Sequence, residues 1–213
     1  MMFTEKIRNL IIEHQTPLLI ISIIIVMGIG ALLYPRSDYP EVSAERLAID
    51  PYLGVEDAEI TIIEYADYAC SGCKLWHNAG VLDEIFASHE GKLKFVWRDN
   101  AHISTDSMAA ANAAHCAYDQ GKFWEYHDLL FANPRGFSTE GLKGYASDLG
   151  LDQETFNVCV DNKTYYQKVI HNMKLAGEHG LSVTPAFLVN EEIIIGPPPT
   201  SYLDELISRL LND

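Results

Sequence analysis

Apolar, β-branched positions crowd Ile60-Thr61-Ile62-Ile63-Glu64-Tyr65, and this alternation predicts a buried strand over 59–66. Behind it, Cys73 through Phe86 reads as a helix, predicted over 70–89 and closed by the break at Gly91. Lys-Leu-Lys-Phe-Val-Trp-Arg predicts a second strand over 92–98, which makes a β-α-β start. Residues 105–132 are rich in alanine and other helix formers. Further helical patterns cover 138–149 and 152–161, with Ser138 and Asp152 as N-caps, and 163–179 continues helically. Strand character returns at 184–189 and 192–195. Thr200 or Ser201 then caps a last helix with Asp204 and Glu205 in its first turn. The order predicts an α/β fold whose sheet is interrupted by a helical insert of three to four helices, about 103–180, and then resumed.

Ahead of this domain, residues 18–34 carry no charge and predict one transmembrane helix. Lys6 and Arg8 precede it, whereas Asp38 and Glu41 accompany Arg36 after it. The positive bias therefore places 1–17 in the cytoplasm and the rest of the chain outside, as a single-pass membrane protein. A cleaved signal peptide is the competing reading, but its small-residue site, Gly28-Ile29-Gly30-Ala31, falls inside the apolar run. Pro35, Pro40, Pro51, Gly54 and scattered acids make 35–58 a tether and lead-in to a domain over 59–213. The net charge of −15 excludes a counterion-releasing nucleic-acid surface, and 48% hydrophobic residues suffice for one substantial core.

Cys70-Ser71-Gly72-Cys73 carries the candidate chemistry, because two thiols two residues apart can close a small reversible disulfide. A thiol at a helix N-terminus faces unpaired N–H groups and the positive dipole end, so its thiolate is stabilised. Cys70 is therefore the predicted nucleophile and Cys73 the resolving thiol. A static staple is a poor alternative, since so small a loop removes little unfolded-state entropy. A metal site built from Cys70, Cys73 and His77 is a sharper rival, although no fourth ligand is visible. His115, His127, His171 and His179 show no ligand spacing and read as core or solvated residues. Glu64 falls in a central strand where burial should raise its pKa. Pro185 follows Thr184 at the start of an apolar strand, where proline forfeits a ladder hydrogen bond, and a cis peptide is the predicted reason. Cys116 and Cys159, both in the insert, predict a structural disulfide if this part of the chain meets an oxidising compartment. Tyr68, Trp76 and Phe187 are expected in the core.

Asp57 through Cys70, Gln120-Gly121-Lys122-Phe123-Trp124-Glu125-Tyr126-His127 and Val183-Thr184-Pro185-Ala186-Phe187 together resemble the DsbA-like thiol:disulfide oxidoreductases, from about residue 50 onward. The resemblance implies a thioredoxin-like fold with an inserted helical domain. It implies that Glu64 is a buried acid moving the proton of the resolving cysteine. It also implies that Thr184–Pro185 is cis, faces the cysteine pair, and lets the Thr184 backbone pair with extended substrate. The implied activity is disulfide formation in translocated proteins, with a quinone-linked membrane partner reoxidising the pair and no cofactor or metal. The sequence departs from the family at Ser71-Gly72, where relatives carry bulkier residues, and at Asp99 to Ile103, which lacks a Phe-Pro-Leu. Reductase or isomerase activity with the same pair is the alternative reading. A metal-binding or non-catalytic protein-binding module is the alternative of another class.

Overall fold

The computed structural model describes residues 39–133 and 135–212. The predicted cytoplasmic stretch 1–17, the predicted anchor 18–34 and the first tether residues lie outside the described residues. Among the described residues no helix is long and apolar enough to cross a membrane.

The segment expected to be a tether holds structure: α1 (Ala44–Ala48), capped by Ser43, and a short strand β1 (Tyr52–Gly54). Two cations anchor it. Asp50 accepts from Arg98 Nε at 2.7 Å and pairs with the buried Lys168 Nζ, so this stretch is tied to the domain. Gly54 ends β1 with φ +91°, and a Cβ there would stand 2.2 Å from the Leu93 carbonyl oxygen, so only glycine lets the strand close on its neighbour.

Four further strands follow the predicted pattern closely: β2 (Ile60–Ala66), β3 (Leu93–Asp99), β4 (Ala186–Val189) and β5 (Glu192–Ile195). The sheet order is β1-β3-β2-β4-β5, with β2 parallel to β3 and every other pair antiparallel. β2 is therefore central. The register sets Glu64 across from Trp97 on one side and Phe187 on the other, both fully buried. Residues opposite one another share a face of the sheet, so Glu64 is flanked by two aromatic side chains.

The helix expected over 70–89 is two helices, α2 (Ser71–Asn78) and α3 (Val81–Ser88). Gly80 takes a left-handed φ of +72° between them, which no helix interior accommodates. The alanine-rich region 105–132 is likewise divided, into α4 (Ser107–Tyr118) and α5 (Phe123–Ala132), by the turn at Gln120-Gly121-Lys122. α6 (Thr139–Asp148), α7 (Gln153–Asp161) and α8 (Tyr166–Glu178) complete the insert, which holds five described helices, one more than the upper expectation. Ser138 and Asp152 cap α6 and α7 as predicted, each accepting from a backbone N–H in the first turn.

Small side chains explain the position of α4. Ala110, Ala111, Ala113, Ala114 and Ala117 are all buried, which lets neighbouring helices approach from several sides. Cys116 on α4 is bonded to Cys159 on α7, with Cα atoms 5.9 Å apart, so the predicted disulfide is present. The last helix, α9 (Thr200–Leu210), lays Leu203, Leu206 and Ile207 into the core beside Trp76 and Ile85.

Candidate functional site

Cys70 is the N-cap of α2, in extended backbone conformation, with no side chain capping that helix. The turn that delivers it is braced by Asp67, a buried residue that the sequence reading passed over. One Asp67 carboxylate oxygen accepts from the Ala69 N–H at 2.8 Å. The other accepts from the His102 and Ile103 N–H groups at 2.8 and 2.7 Å, and the Asp67 carbonyl accepts from the Cys70 N–H at 2.9 Å. The signal for Asp67 was present: an acid between strand and helix commonly accepts from the N–H two residues on.

The Thr184–Pro185 peptide is cis, as expected. Thr184 meets the Cys70 sulfur directly: the thiol donates to the Thr184 carbonyl at 3.2 Å, and the Thr184 hydroxyl is buried with no settled partner. Gly72 sits in the same corner, where a Cβ would stand 3.2 Å from Pro185 Cδ and 3.7 Å from Cys70 Sγ. Glycine at position 72 thus lets the proline loop approach the cysteine pair closely.

Burial and hydrogen bonding divide the two thiols. Both are free; Cys70 is 8% exposed and Cys73 is fully buried. Burial pushes the Cys70 thiol up, but the otherwise unpartnered Thr184 hydroxyl, the Cys73 amide and thiol and the Gly72 amide, all able to donate to the thiolate, outweigh it, and its pKa lies below the ordinary value. Cys73 moves the other way, raised first by burial and then by the charge of Glu64. Glu64 is 3% exposed, and its pKa is raised to about 8 by burial first and by Cys70 second. The site therefore holds a stabilised thiolate at its mouth, a reluctant thiol beneath it, and a carboxyl able to hold a proton near neutrality.

The other singled-out residues also find places. Trp76 packs against Phe187 at 4.7 Å between ring centroids, its indole N–H donating to the Pro198 carbonyl at 2.9 Å. Tyr68 stacks on Trp97 at 4.8 Å. Both belong to the core, as expected. The Cys70, Cys73 and His77 metal set does not assemble among the described residues; His77 Nε2 instead lies 3.3 Å from Asp128 Oδ1 on α5. His127, read from spacing as an unremarkable histidine, is buried beside it.

A sheet with a helix-capping cysteine pair, a facing cis-proline and five helices inserted ahead of β4 defines the thioredoxin fold with a helical insertion. Residues 48–209 match the thioredoxin family, and the chain belongs to it. The Na(+)/H(+) antiporter NhaA of Herminiimonas arsenicoxydans is 35% identical over 141 residues, 66% of this chain. This chain spans only 22% of that antiporter, and 22% and 24% of further antiporters it matches. Disulfide bond formation protein D of Bacillus subtilis is 27% identical over 171 residues, 76% of this chain and 77% of that protein. The crystal structure of oxidised BdbD from Bacillus subtilis aligns with a TM-score of 0.71 at 24% identity, covering 77% of this chain and 94% of that one.

Proposed function

We propose that the protein is a membrane-anchored, extracytoplasmic thiol:disulfide oxidoreductase that donates the Cys70–Cys73 disulfide to reduced, translocated proteins. The opposite pKa displacements of the two thiols carry this reading. A substrate thiolate attacks Cys70 Sγ, the Cys70–Cys73 bond breaks, and a mixed disulfide forms. Cys73 leaves as a thiolate in a site that disfavours its charge, and Glu64, protonated below about pH 8, is the group that supplies its proton. A second substrate thiolate then attacks the substrate sulfur, and Cys70 departs as the stabilised thiolate. Two substrate thiols are oxidised and one enzyme disulfide is reduced.

The cis Thr184–Pro185 turn supports a role for the Thr184 backbone in holding extended substrate beside Cys70. The Cys116–Cys159 bond supports an oxidising compartment, and the apolar run 18–34 supports an anchor there. A quinone-linked membrane protein would return the electrons to the respiratory pool.

The test mixes the oxidised protein with a reduced, unfolded disulfide protein and follows substrate disulfides by mass. Transfer that Cys70→Ser abolishes, with a mixed disulfide accumulating on the Cys73→Ser variant during reaction with disulfide-bearing substrate, is the expected outcome. Absence of any transfer would overturn the assignment. Transfer only from the reduced protein to oxidised substrate would convert it to a reductase.

A further inference from the structure

The contact between α2 and α5 brings together three side chains that sequence spacing did not connect. One donor nitrogen each from His77 and His127 and a carboxylate oxygen of Asp128 lie within 4.8 Å of one another. His77 comes from the active-site helix, and His127 and Asp128 from the insert. We propose that His77, His127 and Asp128 form a binding site for a divalent transition-metal ion of the zinc, cobalt or copper class.

The donor set selects that class. Two imidazoles and one carboxylate suit borderline ions, whereas calcium and magnesium take oxygen ligands. The His77 Nε2 to Asp128 Oδ1 distance is 3.3 Å. Ligands about 2.0–2.1 Å from a tetrahedral ion stand about 3.3 Å apart, so this pair already has ligand spacing. His127 is the fixed corner. It is 2% exposed, its Nδ1 is held by the Tyr68 hydroxyl at 3.0 Å, and Trp97 and Phe131 pack against its ring. In the tautomer whose Nδ1–H donates to the Tyr68 oxygen, that bond orients the ring and leaves the Nε2 lone pair to coordinate. The other two side chains can close on it, since Asp128 is exposed and His77 half-buried.

Three protein ligands with an open position are the arrangement of exchangeable or reactive sites. The open side has somewhere to lead: a crevice of about 230 Å³ is lined by His77, His127 and Asp128 together with Asp83, Trp124 and Glu64. A bound ion would share that crevice with the buried acid of the redox centre. The site nevertheless stands on its own geometry and requires no thiol chemistry.

The experiment uses the full chain with the Cys70–Cys73 disulfide closed, so that neither thiol can ligate. Zinc chloride is titrated under equilibrium dialysis, and cobalt chloride is titrated in parallel to read visible absorption. One zinc per chain and the absorption of low-coordinate cobalt are expected. His77→Ala and Asp128→Ala should each weaken binding on the order of tenfold or more while the far-ultraviolet dichroism is retained, and His171→Ala should leave affinity unchanged. Absence of zinc binding, or binding that both ligand variants retain in full, would overturn the site. Neither result depends on whether the protein exchanges disulfides.

Discussion

Replacing Glu64 with glutamine removes the carboxyl of the central strand β2 while keeping its shape. Burial first and Cys70 second raise its pKa from 4.5 to about 8. Between those values the folded chain holds a proton that the unfolded chain has released. The stabilisation is fully present below pH 4.5 and is lost as the pH rises through about 8. At about 1.4 kcal/mol per pH unit, that window corresponds to a loss on the order of 5 kcal/mol. The assay is urea unfolding of reduced wild type and Glu64→Gln across the window, because the two causes of the shift act together only while Cys70 is a free thiol. The glutamine variant should gain several kcal/mol relative to wild type between pH 4.5 and 8 and show the flatter profile. A stability difference that stays constant across the window would refute the buried, proton-holding carboxyl. The rate of thiol exchange should lose its inflection near pH 8 in the same variant.

Three other outcomes are expected. Brief treatment of the native reduced protein with iodoacetamide at neutral pH should label Cys70 and spare Cys73, as peptide mass spectrometry would show, since only Cys70 is both partly exposed and lowered in pKa. Replacing Cys116 and Cys159 by alanine, which opens a loop with a sequence separation of 43, should cost about 4 kcal/mol in denaturant unfolding and leave the exchange rate on the oxidised pair largely intact. Asp67→Ala should cost about 3 kcal/mol or more and also slow exchange, because three backbone N–H groups beside the cysteine turn lose a charged acceptor; a loss below about 1 kcal/mol would contradict that brace.

Much of this site was legible because it is local. The cysteine pair, the strand before it and the helix after it occupy one short stretch, and β-branched alternation followed by a helix start is a pattern short-range sterics impose. Glu64 was readable for the same reason, since a carboxyl in the middle of such a strand has nowhere solvated to point. What the sequence hid depends on contacts across the fold. The interruption of 70–89 turned on Gly80 adopting a left-handed conformation, which a lone glycine does not announce. The strand at Tyr52–Gly54 is too short to show alternation and exists because β3 offers it an edge. His127 and Asp128 gained meaning only when α5 packed beside His77, a juxtaposition that spacing along the chain cannot encode.

Donation of the Cys70–Cys73 disulfide, as proposed, depends on stabilisation of the reduced form at Cys70. Equilibrating the protein in glutathione buffers and counting free Cys70 and Cys73 thiols by alkylation and mass gives its reduction potential directly. A disulfide donor would show a reversible two-electron transition at the oxidising end of the fold, at about −120 mV. A potential near about −270 mV would contradict donation, and the absence of a reversible transition would contradict the redox role itself.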